Sequence, residues 1–245
     1  MTTSVHNLDL DRANAPKRKD GDALHKYRIT IYKGYERFWH WSQAFLIISL
    51  LFTGFGLHGL HNLLPFGLAV MLHTGAALLL MTLWVFTIFW WFTTGEWKQF
   101  FPKNENLWTI MKYYAWGILQ GASKPYHKRL HSKQNPLQAI TYVALTFVIG
   151  ATLWSTGIAY LLYNLWEANA WSGSVLTTVV FLHTAAAWGM ALFVVIHVYM
   201  ATTGRPWYHY IQSMVTGRDD VDLSEAEAAY LEELQGEPLT RSPRH

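Results

Sequence analysis

Residues 174–203 read SVLTTVVFLHTAAAWGMALFVVIHVYMATT, thirty residues without a Lys, Arg, Asp or Glu. A stretch this long and this bare of charge predicts a helix that crosses a bilayer. It also contains His183 and His197, 14 residues apart. On a helix that spacing is about 21 Å of rise and a rotation about 40° short of four full turns. Both imidazoles are therefore expected to point the same way, one near each side of the membrane. An ionisable residue inside a span is costly and marks a functional site.

The composition agrees with a membrane class. Of the 245 residues, 51% are hydrophobic, 16% aromatic and only 14% charged, and the apolar residues come in long blocks. The formal charge of +3 does not point to nucleic acid, because the basic residues flank apolar spans rather than forming a patch on a polar domain. Cysteine is absent. Disulfides, thiolate-held iron–sulfur clusters and Cys-attached haem are thereby excluded, and any metal or haem must be held by His or Met. The first thirty residues are polar and show no apolar core of a signal peptide, so insertion is expected to start from the first span.

Working outward, residues 1–37 open with the basic PKRKDGD at 16–22 and read as a mobile or partner-docked cytoplasmic arm. The arm ends in HKYRITIYKGYERFWHW, whose Tyr, Trp, Lys and Arg are membrane-interface chemistry. Spans are expected at about 38–57, 66–92, 137–163 and 174–203, giving an all-α four-helix bundle over 38–217. Between the second and third spans, 93–136 includes NLWTIMKYYAWGILQG and reads as an interfacial amphipathic helix. Residues 218–245 form an acidic, partly helical cytoplasmic tail. No internal repeat is evident. Eight Lys and Arg precede the first span, seven lie in 93–136 and four follow 203, which accounts for all nineteen. The two remaining loops have none, so the positive-inside rule places both termini in the cytoplasm.

This topology assigns depths to the histidines. His40 and His197 share the cytoplasmic level, and His73 and His183 share the periplasmic one. Two imidazoles per level suit an axially coordinated haem iron, whereas zinc would want a tetrahedral set. Gly54, 14 residues after His40, is expected to leave room for a flat macrocycle, and Met190, halfway between His183 and His197, to separate two rings. Gly75 and Gly189 could make room similarly or simply let helices approach. His58 and His61, at the periplasmic turn, read as surface residues, either of which could replace His73. His127, His131 and His209 read as solvated or lipid-facing. A haem-free anchor or proton relay remains the alternative from another class.

These residues resemble the di-haem cytochrome b subunits of respiratory oxidoreductases, including those of formate dehydrogenase, nickel–iron hydrogenase and thiosulfate reductase. The resemblance rests on ERFWHW around His40, HTGAALL around His73, KQNPLQAITY before the third span, and HTAAAWGMALFVVIHVYMATTG followed by HYIQSMVTG. It covers about 32–218, and ATTGRPWYHYIQSMVTG looks closest to the thiosulfate-reductase branch. It implies two b-type haems in a bacterial inner-membrane protein, one held by His73 and His183 toward the periplasm, the other by His40 and His197 toward the cytoplasm. Menaquinone or ubiquinone would bind near His197. A periplasmic redox subunit, an iron–sulfur or multihaem carrier, would hold the substrate chemistry. Arg37, one turn before His40, would pair with a haem propionate or anchor the interface. The competing reading on the same helices is a self-contained b561-type quinone/superoxide oxidoreductase.

Overall fold

The computed structural model describes residues 21–94, 141–169, 172–204, 206–236 and 238–242, together with Pro16, Lys112 and Gln120. The chain divides into two compact units, one of Met1–His40, Lys103–Leu137 and Arg205–His245, the other of Trp41–Pro102 and Gln138–Gly204. The amphipathic helix expected within 93–136 lies outside the described residues beyond Thr94, Lys112 and Gln120 excepted, as do His127 and His131.

Among the described residues, four helices are long and apolar enough to cross a membrane: α1 (Gly34–Leu57), α2 (Phe66–Thr94), α3 (Thr141–Leu161) and α5 (Ser172–Ala201), with a single-turn α4 (Tyr163–Trp166) between the last two. They lie within a few residues of the expected spans. Glu36 starts α1, its carboxylate accepting the Lys33 N–H at 2.7 Å, where the positive end of the helix dipole favours an acid. The helix is stopped by Gly59. At φ 75° it lets its own N–H reach Gly56 O and the Leu60 N–H reach Phe55 O, which satisfies the last carbonyls of α1. Large side chains such as Phe45, Phe89, Phe147 and Phe181 are mostly exposed, as lipid-facing residues should be.

In α3, Leu145–Gly150 winds as π-helical turns, with the Ala151 N–H reaching back to Thr146 O. The widened turn sits against α5. A Cβ at Gly189 would come within 3.2 Å of Ile149 Cδ1, so this glycine serves helix approach.

The extramembrane unit corrects the all-helical expectation. After α6 (His209–Thr216), the chain forms β2 (Arg218–Ser224), α7 (Glu225–Gln235) and β3 (Thr240–Arg241), and Leu24–Thr30, named β1, joins them in a three-stranded sheet of order β2-β1-β3. β1 runs antiparallel to β2 from Leu24↔Ser224 to Thr30↔Arg218. The end of the arm and the start of the tail are therefore partners. Alternation explains it: Tyr27, Val221 and Leu223 turn inward onto Ala228 and Leu231, and Ile29, Ile31, Tyr230 and Leu239 pack around them. Ser224 and Glu227 close a capping box at the start of α7, at 2.8 and 3.3 Å.

Gly217 joins this sheet to α6. Its carbonyl accepts the Ile31 and Tyr32 N–H groups, its φ is 81°, and a Cβ there would lie 2.7 Å from Tyr32 O. Arg37 Nη1 donates to Val215 O at 2.8 Å, a cation at the carbonyl end of α6. His209, expected to be solvated or lipid-facing, instead meets the buried Asp219 carboxylate at 2.9 Å.

β1 precedes the first candidate span and β2 follows the last, so their pairing joins the two flanks of the helical region within one unit.

Candidate functional site

Four histidines were expected at two levels, and the membrane unit brings one pair together. His73 on α2 and His183 on α5 have ring centroids 6.3 Å apart with planes at 64°. Two metal–imidazole bonds of about 2 Å each, plus roughly 1 Å from nitrogen to ring centre on each side, separate axial ligands by about 6 Å between centroids. That separation suits two imidazoles sharing one metal ion, so His73 and His183 are the residues that would hold a haem iron here. Tyr160 lies edge-on to His183 at 5.8 Å.

Each ring is held by a neighbouring helix in the same manner. From α1, Thr53 Oγ1 is 2.9 Å from His73 Nδ1, and the next residue, Gly54, faces the ring, where a Cβ would lie 3.4 Å from Cε1. From α3, Thr156 Oγ1 is 2.9 Å from His183 Nδ1, and Gly157 faces that ring, a Cβ lying 3.6 Å from Cε1. The neighbour of Gly54 is thus the His73 imidazole itself. Gly75 faces open space.

This is a repeat that sequence reading missed. A Thr-Gly step on α1 cradles a His-Thr on α2, and a Thr-Gly step on α3 cradles a His-Thr on α5. The signal was present as FTGFG with HTGAA, and STGIA with HTAAA. It is too short to stand out in helices rich in Thr, Gly and Ala.

The turn histidines are otherwise engaged. The Leu63 N–H reaches His61 Nδ1 at 3.4 Å, which leaves Nε2 to donate to Phe52 O at 2.8 Å, and the ring stacks on Phe52. His58 Nε2 lies 3.3 Å from Thr184 Oγ1. Of the three candidates, His73 is the one whose ring meets that of His183, edge-on. His40 stands in the extramembrane unit at the foot of α1, while His197 in the membrane unit stacks on Phe193 at 5.6 Å. Each is described within its own unit.

The profile of the prokaryotic cytochrome b561 family matches residues 31–217. The protein YdhU of Escherichia coli (strain K12), which bears the name of a cytochrome, is 29% identical over 215 residues, covering 85% of this chain and 80% of its own. The family match runs from just before α1 to the glycine that ends α6, taking in the four spans and the histidine pair; the chain belongs to the prokaryotic cytochrome b561 family of membrane cytochromes, which implies b-type haem.

Proposed function

We propose that this chain is the membrane-embedded di-haem cytochrome b subunit of a respiratory oxidoreductase complex, carrying electrons between the quinone pool and a redox subunit on the periplasmic side. The observation that carries the reading is the His73–His183 pair, two imidazoles at iron-bridging distance between apolar helices. His40 and His197 are proposed as the axial pair of the second haem, toward the cytoplasm. Bound haem supplies one-electron steps, which suits a relay between a two-electron quinone and a single-electron partner.

The chain's own residues do the positioning. Thr53 and Thr156 orient the periplasmic pair. Arg37, with Nη1 committed to Val215, has further guanidinium N–H groups for a propionate. His197 and the exposed Trp207 and Tyr208 beyond it are the proposed surroundings of quinone, either menaquinone or ubiquinone. The Lys and Arg asymmetry supports cytoplasmic termini in the inner membrane, and the β1–β2 pairing supports their sharing a side.

The test is a reduced-minus-oxidised spectrum with haem quantified per chain on the protein purified from its own membranes. Two b haems per chain are expected, and none would sink the reading. The b561 name of the family is also compatible with a second reading, a self-contained oxidoreductase exchanging electrons between quinone and superoxide. A larger redox subunit co-purifying under mild detergent supports the first. Full quinone-linked activity toward superoxide in the isolated chain supports the second.

A further inference from the structure

The two threonine contacts carry information about which imidazole nitrogen is protonated. A hydroxyl has one proton to give. Thr53 Oγ1 lies 2.7 Å from Ser49 O and 3.2 Å from Leu50 O, and Thr156 Oγ1 bonds Thr152 O. A carbonyl only accepts, so each hydroxyl spends its proton on its own helix. Toward the imidazole it can then only accept. Nδ1 of both His73 and His183 must therefore carry the proton, and Nε2 of both must be bare.

Both threonines are buried, Thr53 at 2% and Thr156 at 6% relative exposure, so no competing solvent partner resets this arrangement. His61 shows the reverse arrangement a few residues away, with a backbone N–H directed at Nδ1 and Nε2 donating to Phe52 O. The tautomer in this region is set ring by ring.

Resting on the haem reading above, we infer that Thr53 and Thr156 are positioning residues for the periplasmic haem: each fixes its histidine in the tautomer whose Nε2 can bind iron, and each strengthens that nitrogen as a donor. An Nδ1–H donated to an oxygen makes the opposite nitrogen more basic, which favours the oxidised metal. Together Thr53 and Thr156 would tune the potential of the haem that His73 and His183 would hold.

The experiment is potentiometric titration of the haems, with low-spin EPR and haem content, on the full chain carrying Thr156→Val, Thr156→Ser, Thr53→Val and, as a ligand control, His183→Ala. Valine keeps the shape and removes the oxygen, whereas serine restores it. The expected result is an upward shift of one haem's midpoint in T156V and in T53V, with an altered EPR signal, and return toward wild type in T156S. Loss of that haem in T156V but not in T156S is the same result in stronger form. A T156V protein with two haems and unchanged potentials and EPR overturns the inference while leaving the haem reading intact. Loss of haem in both T156V and T156S assigns the position to packing and also overturns it. Two haems retained in H183A overturn the ligand assignment on which the inference stands.

Discussion

His73 and His183 are separated by 110 residues in the chain and by 6.3 Å between ring centres in the fold. On the di-haem proposal, replacing either with Ala is expected to remove one haem, measured as haem per chain. His61→Ala is expected to retain both, because its two nitrogens are occupied by the Leu63 N–H and Phe52 O. A haem lost from H61A would transfer the ligand role to the turn. The His73–His183 pairing was legible in the sequence because an imidazole in an apolar span is conspicuous. Thr53 and Thr156 were not, since threonines throughout these helices bond the carbonyl four residues back, as Thr82, Thr87 and Thr177 do. Only the fold shows which of those hydroxyls also meets a ring.

The spans could be read to within a few residues because hydrocarbon thickness fixes how long an apolar helix must be. The sheet could not. β1 and β2 have seven residues each, sit among charges, and find each other across nearly the whole chain. Tyr27, Ile29 and Ile31 do alternate, but the same letters read equally well as aromatic and basic interface chemistry. The joint between sheet and α6 is sensitive to substitution. Gly217→Ala meets both an unfavourable φ and the Tyr32 carbonyl, and is expected to cost about 1–3 kcal/mol. Faster amide exchange at Ile31 and Tyr32 measures it, and wild-type protection in the variant would disprove it. Ser224→Ala removes one half of the capping box and is expected to cost about 1 kcal/mol, confined to the first turn of α7.

For the molecule as a whole, the ion pairs of the extramembrane unit predict how it responds to acid. Burial alone would raise the Asp220 carboxyl. Hydrogen bonds from Arg28 and Ser242 and the charges of Arg28 and His209 outweigh it, and hold the group below its ordinary value. A depressed acid contributes its stability fully above the unfolded value, about 4, and loses it as pH falls through the folded one. The Arg28–Asp220 pair is 3.1 Å long and half open to solvent, so the contribution is below about 1 kcal/mol. Amide protection in β1, corrected for intrinsic exchange, is expected to hold from neutrality to about pH 4 and then fall. In Asp220→Asn this part of the pH dependence is expected to flatten, and an unchanged profile would assign it to other acids.

The same sheet has a consequence for biogenesis. Its first strand is synthesised before any span and its second only after all of them, so β1 must wait through nearly two hundred residues for a partner. A chain that inverted one span would strand its two halves on opposite faces of the bilayer, where no hydrogen bond could join them. Closing the sheet thus requires its two strands to be on the same side, and a chain that failed in this would leave a seven-residue strand edge without its partner.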